Sequence, residues 1–188
     1  MLPTGRRLLG ASLTAALLAW SCGTPPDKEV REAQSAIDAS RAAEADRYAH
    51  DELVAAEQAL VRAREAVKQR DYRLALNNAL DSRERAQTAR TQATEGKARA
   101  RDGARQALAN AESVVASASR RLKELETAHV SRRTLAPARR ALADAESGLQ
   151  KAGAPLQAGD YEAATRTISR FTEELRRALR DLEASVPR

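Results

Sequence analysis

Side chains able to do chemistry are sparse in this chain of 188 residues, which has one cysteine, Cys22, and two histidines, His50 and His129. A lone thiol excludes an internal disulfide. Neither histidine has a second His, Cys or Glu at metal-ligand spacing, so both read as solvent-facing or helix-end residues and no metal is expected. Asp71 and Asp160 are candidate paired carboxylates for acid–base chemistry. Each, however, stands just ahead of an apolar-periodic stretch, where aspartate caps a helix. Tyr72 and Tyr161 beside them read as packing residues with their hydroxyls at the rim. There is no Gly-rich phosphate loop, serine-nucleophile motif or Cys–His arrangement. Together these features point away from an enzyme and from any cofactor.

Arginines supply the other candidate chemistry. Arg139, Arg140, Arg176 and Arg177, with Arg132 and Arg133 nearby, could form a positive stripe for peptidoglycan or another anionic polymer. The same residues serve equally to solvate outer helix faces. The formal charge of +6 is carried by residues of both signs interspersed along the chain. Without a dense basic tract or interleaved aromatics, it does not predict nucleic-acid binding.

The elements that must position these residues are helical. Aromatics make up only 3% of the chain, and alanine dominates its apolar content. Such a composition favours helices with thin, closely packed seams over a thick core. A first helix is expected from about Asp27 to Arg47, with Val30, Ala33, Ile37 and Ser40 inward and a break near Tyr48 to Asp51. Ala49, Leu53, Ala56, Leu60, Ala63 and Val67 alternate spacings of four and three, the seam of a coiled coil. The alternation resumes after Asp71 at Ala75, Ala79, Ser82, Ala86, Ala89 and Ala93, and again from Leu108 to Leu125. Gly96 and Gly103 are isolated, so one helix from Tyr72 to Thr127, about 80 Å long, is expected, with a break at Gly96 as the alternative. A fourth helix begins at Ser131 or Thr134, with Pro137 in its first turn and Gly153-Ala154-Pro155 interrupting it. The last has the seam Tyr161, Ala164, Ile168, Phe171, Leu175, Ala178 and Leu182.

The register contains a repeat. Leu53, Ala56, Ala59, Leu60 and Ala63 match Leu135, Ala138, Ala141, Leu142 and Ala145 at an offset of 82. Asp71-Tyr72-Arg73-Leu74-Ala75 matches Asp160-Tyr161-Glu162-Ala163-Ala164 at an offset of 89, so the second copy has gained seven residues near Gly153 to Gln157. The expected fold is all-α: an elongated antiparallel bundle of two three-helix units sharing a long central helix, with coiled-coil-like Ala-rich packing. Its Ala-rich seams, above all Ala75 to Ala104, would suit self-association or a partner helix.

Cys22 closes an apolar run, Leu8 to Trp20, that follows Arg6 and Arg7 and is short for a bilayer span. The stretch Leu18-Ala19-Trp20-Ser21-Cys22 resembles a bacterial lipoprotein cleavage motif, in which the cysteine is lipidated. It departs from that pattern at Trp20, and Leu18 stands one residue early. Ala19 and Ser21 also suit ordinary signal cleavage, which would leave a soluble periplasmic protein, and an uncleaved signal anchor is a third reading. Cleavage before Cys22 would remove Arg6 and Arg7 and lower the formal charge from +6 to +4.

From Ala43 to Ala93 the chain carries Tyr48-Ala49-x-x-Glu52-Leu53, Ala-rich heptads, then Asp71-Tyr72-x-x-Ala75. This stretch resembles the helical exported lipoproteins grouped as domain of unknown function 4398, which pair a lipobox cysteine with Tyr-Ala-x-x-Glu-Leu and Gly-Asp-Tyr-x-x-Ala. Arg70 replaces the usual glycine, whereas Gly159 retains it before Asp160. The resemblance implies a Gram-negative envelope lipoprotein and carries over no chemistry. Gly23 after the cysteine, in place of an inner-membrane retention aspartate, points by resemblance to the periplasmic face of the outer membrane.

The expected organisation is a signal peptide (1–21), a lipidated Cys22 with its tether (22–27), a first bundle (28–100) and a second (101–185). The expected role is a palmitate-bearing, non-enzymatic envelope spacer or adaptor, held to the membrane by its lipid and meeting a protein or peptidoglycan partner. The alternative is a soluble periplasmic binder of an anionic polymer through Arg139, Arg140, Arg176 and Arg177.

Overall fold

The computed structural model describes residues 24–186. Cys22 and the apolar run before it lie outside the described residues. Within them the chain forms α1 (Asp27–Ala42), α2 (Ala45–Tyr48), α3 (His50–Lys68), α4 (Tyr72–Thr127), α5 (Arg132–Gln157) and α6 (Tyr161–Ser185). There is no strand among these residues, and the fold is an all-α helical bundle. Two compact units divide between Gln92 and Ala93.

The first unit contains α1, α2, α3 and the start of α4. The α3 seam buries Leu53, Ala56, Ala59, Leu60, Ala63 and Ala66, facing Ala33, Ile37 and Ser40 of α1 and Ala75, Ala79, Ser82, Ala86 and Ala89 of α4. Small side chains let the helices approach closely enough for Ser82 Oγ on α4 to donate to the Ala56 carbonyl of α3 at 2.8 Å. Helix directions follow from the polar pairs. Arg64 reaches Gln34, and Arg41 reaches Glu57, so α1 runs antiparallel to α3. Arg62 with Asn78 and Arg85 with Glu52 set α4 antiparallel to α3 in turn. The start of α1 therefore lies at the end of the unit where α3 turns into α4.

The second unit stacks in layers. Leu122 and Leu125 of α4 meet Leu135 and Ala138 of α5 and Leu182 of α6. Ala118, Ala145 and Leu175 form the next layer, and Ala111, Ala152 and Ile168 the third. Steps of seven residues between layers are those of a coiled-coil-like seam. Gly148 of α5 is buried because the Phe171 ring of α6 occupies the space a Cβ would take.

Three turns share one construction. After α3, α4 and α5 the chain enters a left-handed residue, Arg70 (φ 61), His129 (φ 61) or Gly159 (φ 77). The amide of the next residue, Asp71, Val130 or Asp160, donates back to a carbonyl five residues earlier, at 2.9, 3.0 and 2.8 Å. That is the Schellman closure. Asp71, Ser131 and Asp160 then cap the following helix through the amides of Leu74, Thr134 and Ala163.

Several boundaries differ from the sequence expectation. The first helix stops at Ala42 because Glu44 is left-handed (φ 63), and α2 intervenes before α3. Pro26 occupies the N-cap of α1, without a side-chain cap. Pro137 lies beyond the first turn of α5, inside the helix, and Gly153-Ala154-Pro155 does not interrupt it. Pro155 falls in the last turn of α5, and its carbonyl accepts the Asp160 amide that closes the turn. The seven added residues are thereby helical: α3 has 19 residues and α5 has 26. α4 is continuous through Gly96 and Gly103 over 56 residues.

Candidate functional site

Cys22 lies four residues before Pro26, which is buried at the head of α1. Fully extended, that stretch spans about 14 Å at most. Any group attached to the Cys22 thiol is thus delivered to one end of the first unit, the end that also carries the α3–α4 turn.

At that turn Lys68 and Gln69 donate to the Glu65 carboxylate at 3.2 and 3.4 Å. The two hydrogen bonds, with the Lys68 charge, hold Glu65 below the usual carboxylate range. Asp71 is committed to its cap at 3.0 Å from the Leu74 amide. Arg70 and Arg73 are exposed, and neither guanidinium has a partner among the described residues. Leu74 beside them is one of three large hydrophobic residues left exposed among the described residues, at 47%.

The arginines with polymer-binding potential separate into two kinds. Arg139 is tied to Glu126 of α4 at 2.6 Å. Arg176 is held by Glu173 at 2.6 Å and by Asn110 of α4 at 3.1 Å. Glu126 and Asn110 are sixteen residues apart on one helix, about 24 Å along its axis. Arg140 and Arg177 are exposed on α5 and α6 without ion-pair partners among the described residues. Only an extended ligand could meet both pairs.

The histidines are not structural equivalents. His50 is the first residue of α3, whereas His129 is the left-handed residue of the α4–α5 turn, and both are exposed. No group of three potential metal ligands exists among the described residues. Asp71 and Asp160 each serve as caps. The depressions found are open and shallow-walled. One, of about 410 Å³, runs between α1 and α4 over Ala36 and Ala39, with the Glu32–Arg83 ion pair at 2.7 Å on its wall. Another, of about 420 Å³, sits against His129, Val130 and Val186. Among the described residues no helix is long and apolar enough to cross a membrane.

Residues 28–105 match the family model of a domain of unknown function. This segment is similar to the family DUF4398. The DUF4398 match takes in α1, α2, α3 and α4 as far as residue 105, and so includes the α3–α4 turn with Arg70 in its left-handed position. No curated protein and no solved structure matches the chain.

Proposed function

We propose that this chain is a non-enzymatic lipoprotein, anchored through Cys22 to the periplasmic face of the outer membrane, whose helical body acts as an envelope spacer or adaptor. The observation that carries this reading is the placement of Cys22. It follows the apolar run Leu8–Trp20 and stands four residues ahead of buried Pro26. Acyl chains on that thiol would hold the DUF4398 domain against the membrane by a very short tether. Thin alanine seams bury little side-chain area per residue and fit a scaffold better than a catalytic body.

Fractionation of cells tests the reading. Wild-type protein is expected in the outer-membrane fraction, and Cys22→Ser is expected to leave it. Equal distribution of the two proteins would remove the anchor. Salt-sensitive recovery of Cys22→Ser on purified peptidoglycan, lost on reversing Arg140 and Arg177, would instead favour the soluble polymer-binding reading.

A further inference from the structure

The turns that close the two helical hairpins differ in a consistent direction. The α5–α6 turn reads Gly159-Asp160-Tyr161-Glu162-Ala163, and the α3–α4 turn reads Arg70-Asp71-Tyr72-Arg73-Leu74. The cap and the tyrosine are kept. Glycine, glutamate and alanine have become arginine, arginine and leucine.

Two of those three residues oppose local structure. Arg70 occupies a left-handed conformation (φ 61) that Gly159 adopts freely (φ 77). Arg73 sits in the first turn of α4, where the helix dipole favours an acid such as Glu162. Leu74 is apolar and 47% exposed. Residues that break local rules together mark a site selected for something other than folding. Here they combine two partnerless cations with an exposed leucine, the pairing that interfacial membrane segments use.

The tether supplies the occupant. The start of α1 shares an end of the unit with this turn, and the chain between Cys22 and Pro26 reaches about 14 Å at most, little more than one helix diameter. We infer that the α3–α4 turn is a membrane-seating surface: Arg70 and Arg73 contact anionic phospholipid headgroups, and Leu74 enters the interface beside the acyl chains on Cys22. The inference rests on the lipid-anchor reading. Asp27 and Glu29 lie in the first turn of α1 at the same end, so the seat is confined to the α4 side of that end, where Arg70 and Arg73 stand. Docking there fixes which end of the first unit meets the bilayer.

The test uses the full-length protein in a Trp20→Phe background, so that a single introduced tryptophan reports. Leu74→Trp and Asp51→Trp, the latter at the opposite end of the same unit, are placed in vesicles of phosphatidylethanolamine and phosphatidylglycerol whose acyl chains carry bromine. Mass analysis of the same sample reads the state of Cys22. The expected result is quenching and a blue shift at position 74, neither at position 51, and loss of both when Arg70→Gly and Arg73→Glu restore the sibling sequence. Those two changes relieve the backbone and the helix start, so a loss of quenching cannot be assigned to unfolding. Acylated Cys22 with no quenching at 74, or with equal quenching at 51, overturns the seat while leaving the anchor standing. If Cys22 is not acylated, the protein is coupled through that thiol to a maleimide lipid in the same vesicles. Quenching confined to 74 then supports the seat without the natural anchor, and its absence overturns the seat as well.

Discussion

Substituting alanine for glycine within a helix ordinarily stabilises it by about 1 kcal/mol, because glycine gives up more backbone freedom on folding. α4 and α5 provide a matched set in which that gain should be lost once. A Cβ built at Gly103 or at Gly153 meets nothing within 4 Å. Built at Gly148, it falls 2.6 Å from Phe171 Cγ and 2.8 Å from Cε2, with Cδ2 nearer still. Since Cγ is the point of attachment of the ring, rotating the ring about its own axis does not remove the overlap. Either Phe171 leaves its rotamer or α5 and α6 move apart. Overpacking of this kind costs about 1–3 kcal/mol, so after the helix gain of about 1 kcal/mol Gly148→Ala should be neutral to destabilising, by about 0–2 kcal/mol net. Gly103→Ala and Gly153→Ala should each gain about 0.5–1 kcal/mol. Urea unfolding followed by circular dichroism at equal slope measures all three. In a Phe171→Leu background the penalty at Gly148 should largely vanish, giving a coupling energy of about 1 kcal/mol or more. Stabilisation by Gly148→Ala equal to that by Gly103→Ala would refute the packing described for α5 against α6.

Arg70→Gly should raise stability by about 1 kcal/mol by relieving the left-handed backbone, measured by the same unfolding curves, while Gly159→Arg should lower it by a similar amount. Ser82→Ala removes the 2.8 Å bond to the Ala56 carbonyl and should cost about 0.5–1.5 kcal/mol, with no change in helix content by circular dichroism. Glu65, held below the usual carboxylate range by Lys68 and Gln69, contributes stability above its unfolded-state pKa and loses it as pH falls through the lower folded value. Its side-chain resonance should therefore titrate at lower pH than an ordinary glutamate, and Lys68→Met should move that titration upward.

The seams were legible because helical periodicity is a local property of the sequence. All six of Ala75, Ala79, Ser82, Ala86, Ala89 and Ala93 are buried as the four–three alternation requires. One helix end was less so. Glu44 takes left-handed backbone without being glycine, so the usual stop signal is missing there, whereas Asp71 and the end of the alternation marked the bounds of α4 at Tyr72 and Thr127. Pro155 is a stop signal that the structure absorbs in a final helical turn. Gly148 escaped notice as a core position because its role depends on Phe171, 23 residues away in sequence. The candidate arginines illustrate the same limit. Adjacent residues on a helix point in different directions, so Arg139-Arg140 and Arg176-Arg177 are pairs in sequence but not in space. Arg176 has a local partner in Glu173, but Glu126 and Asn110 come from another helix and leave no local trace. The sequence already aligned the α3–α4 and α5–α6 turns; what it did not show is the left-handed backbone at Arg70 and the exposure of Leu74.

The anchor is the claim on which the functional account depends, and metabolic labelling with a radioactive or alkyne-bearing palmitate tests it most directly. Label should appear on the wild-type protein and be absent from Cys22→Ser. Absence of label from both proteins, or its persistence on Cys22→Ser, would contradict the account.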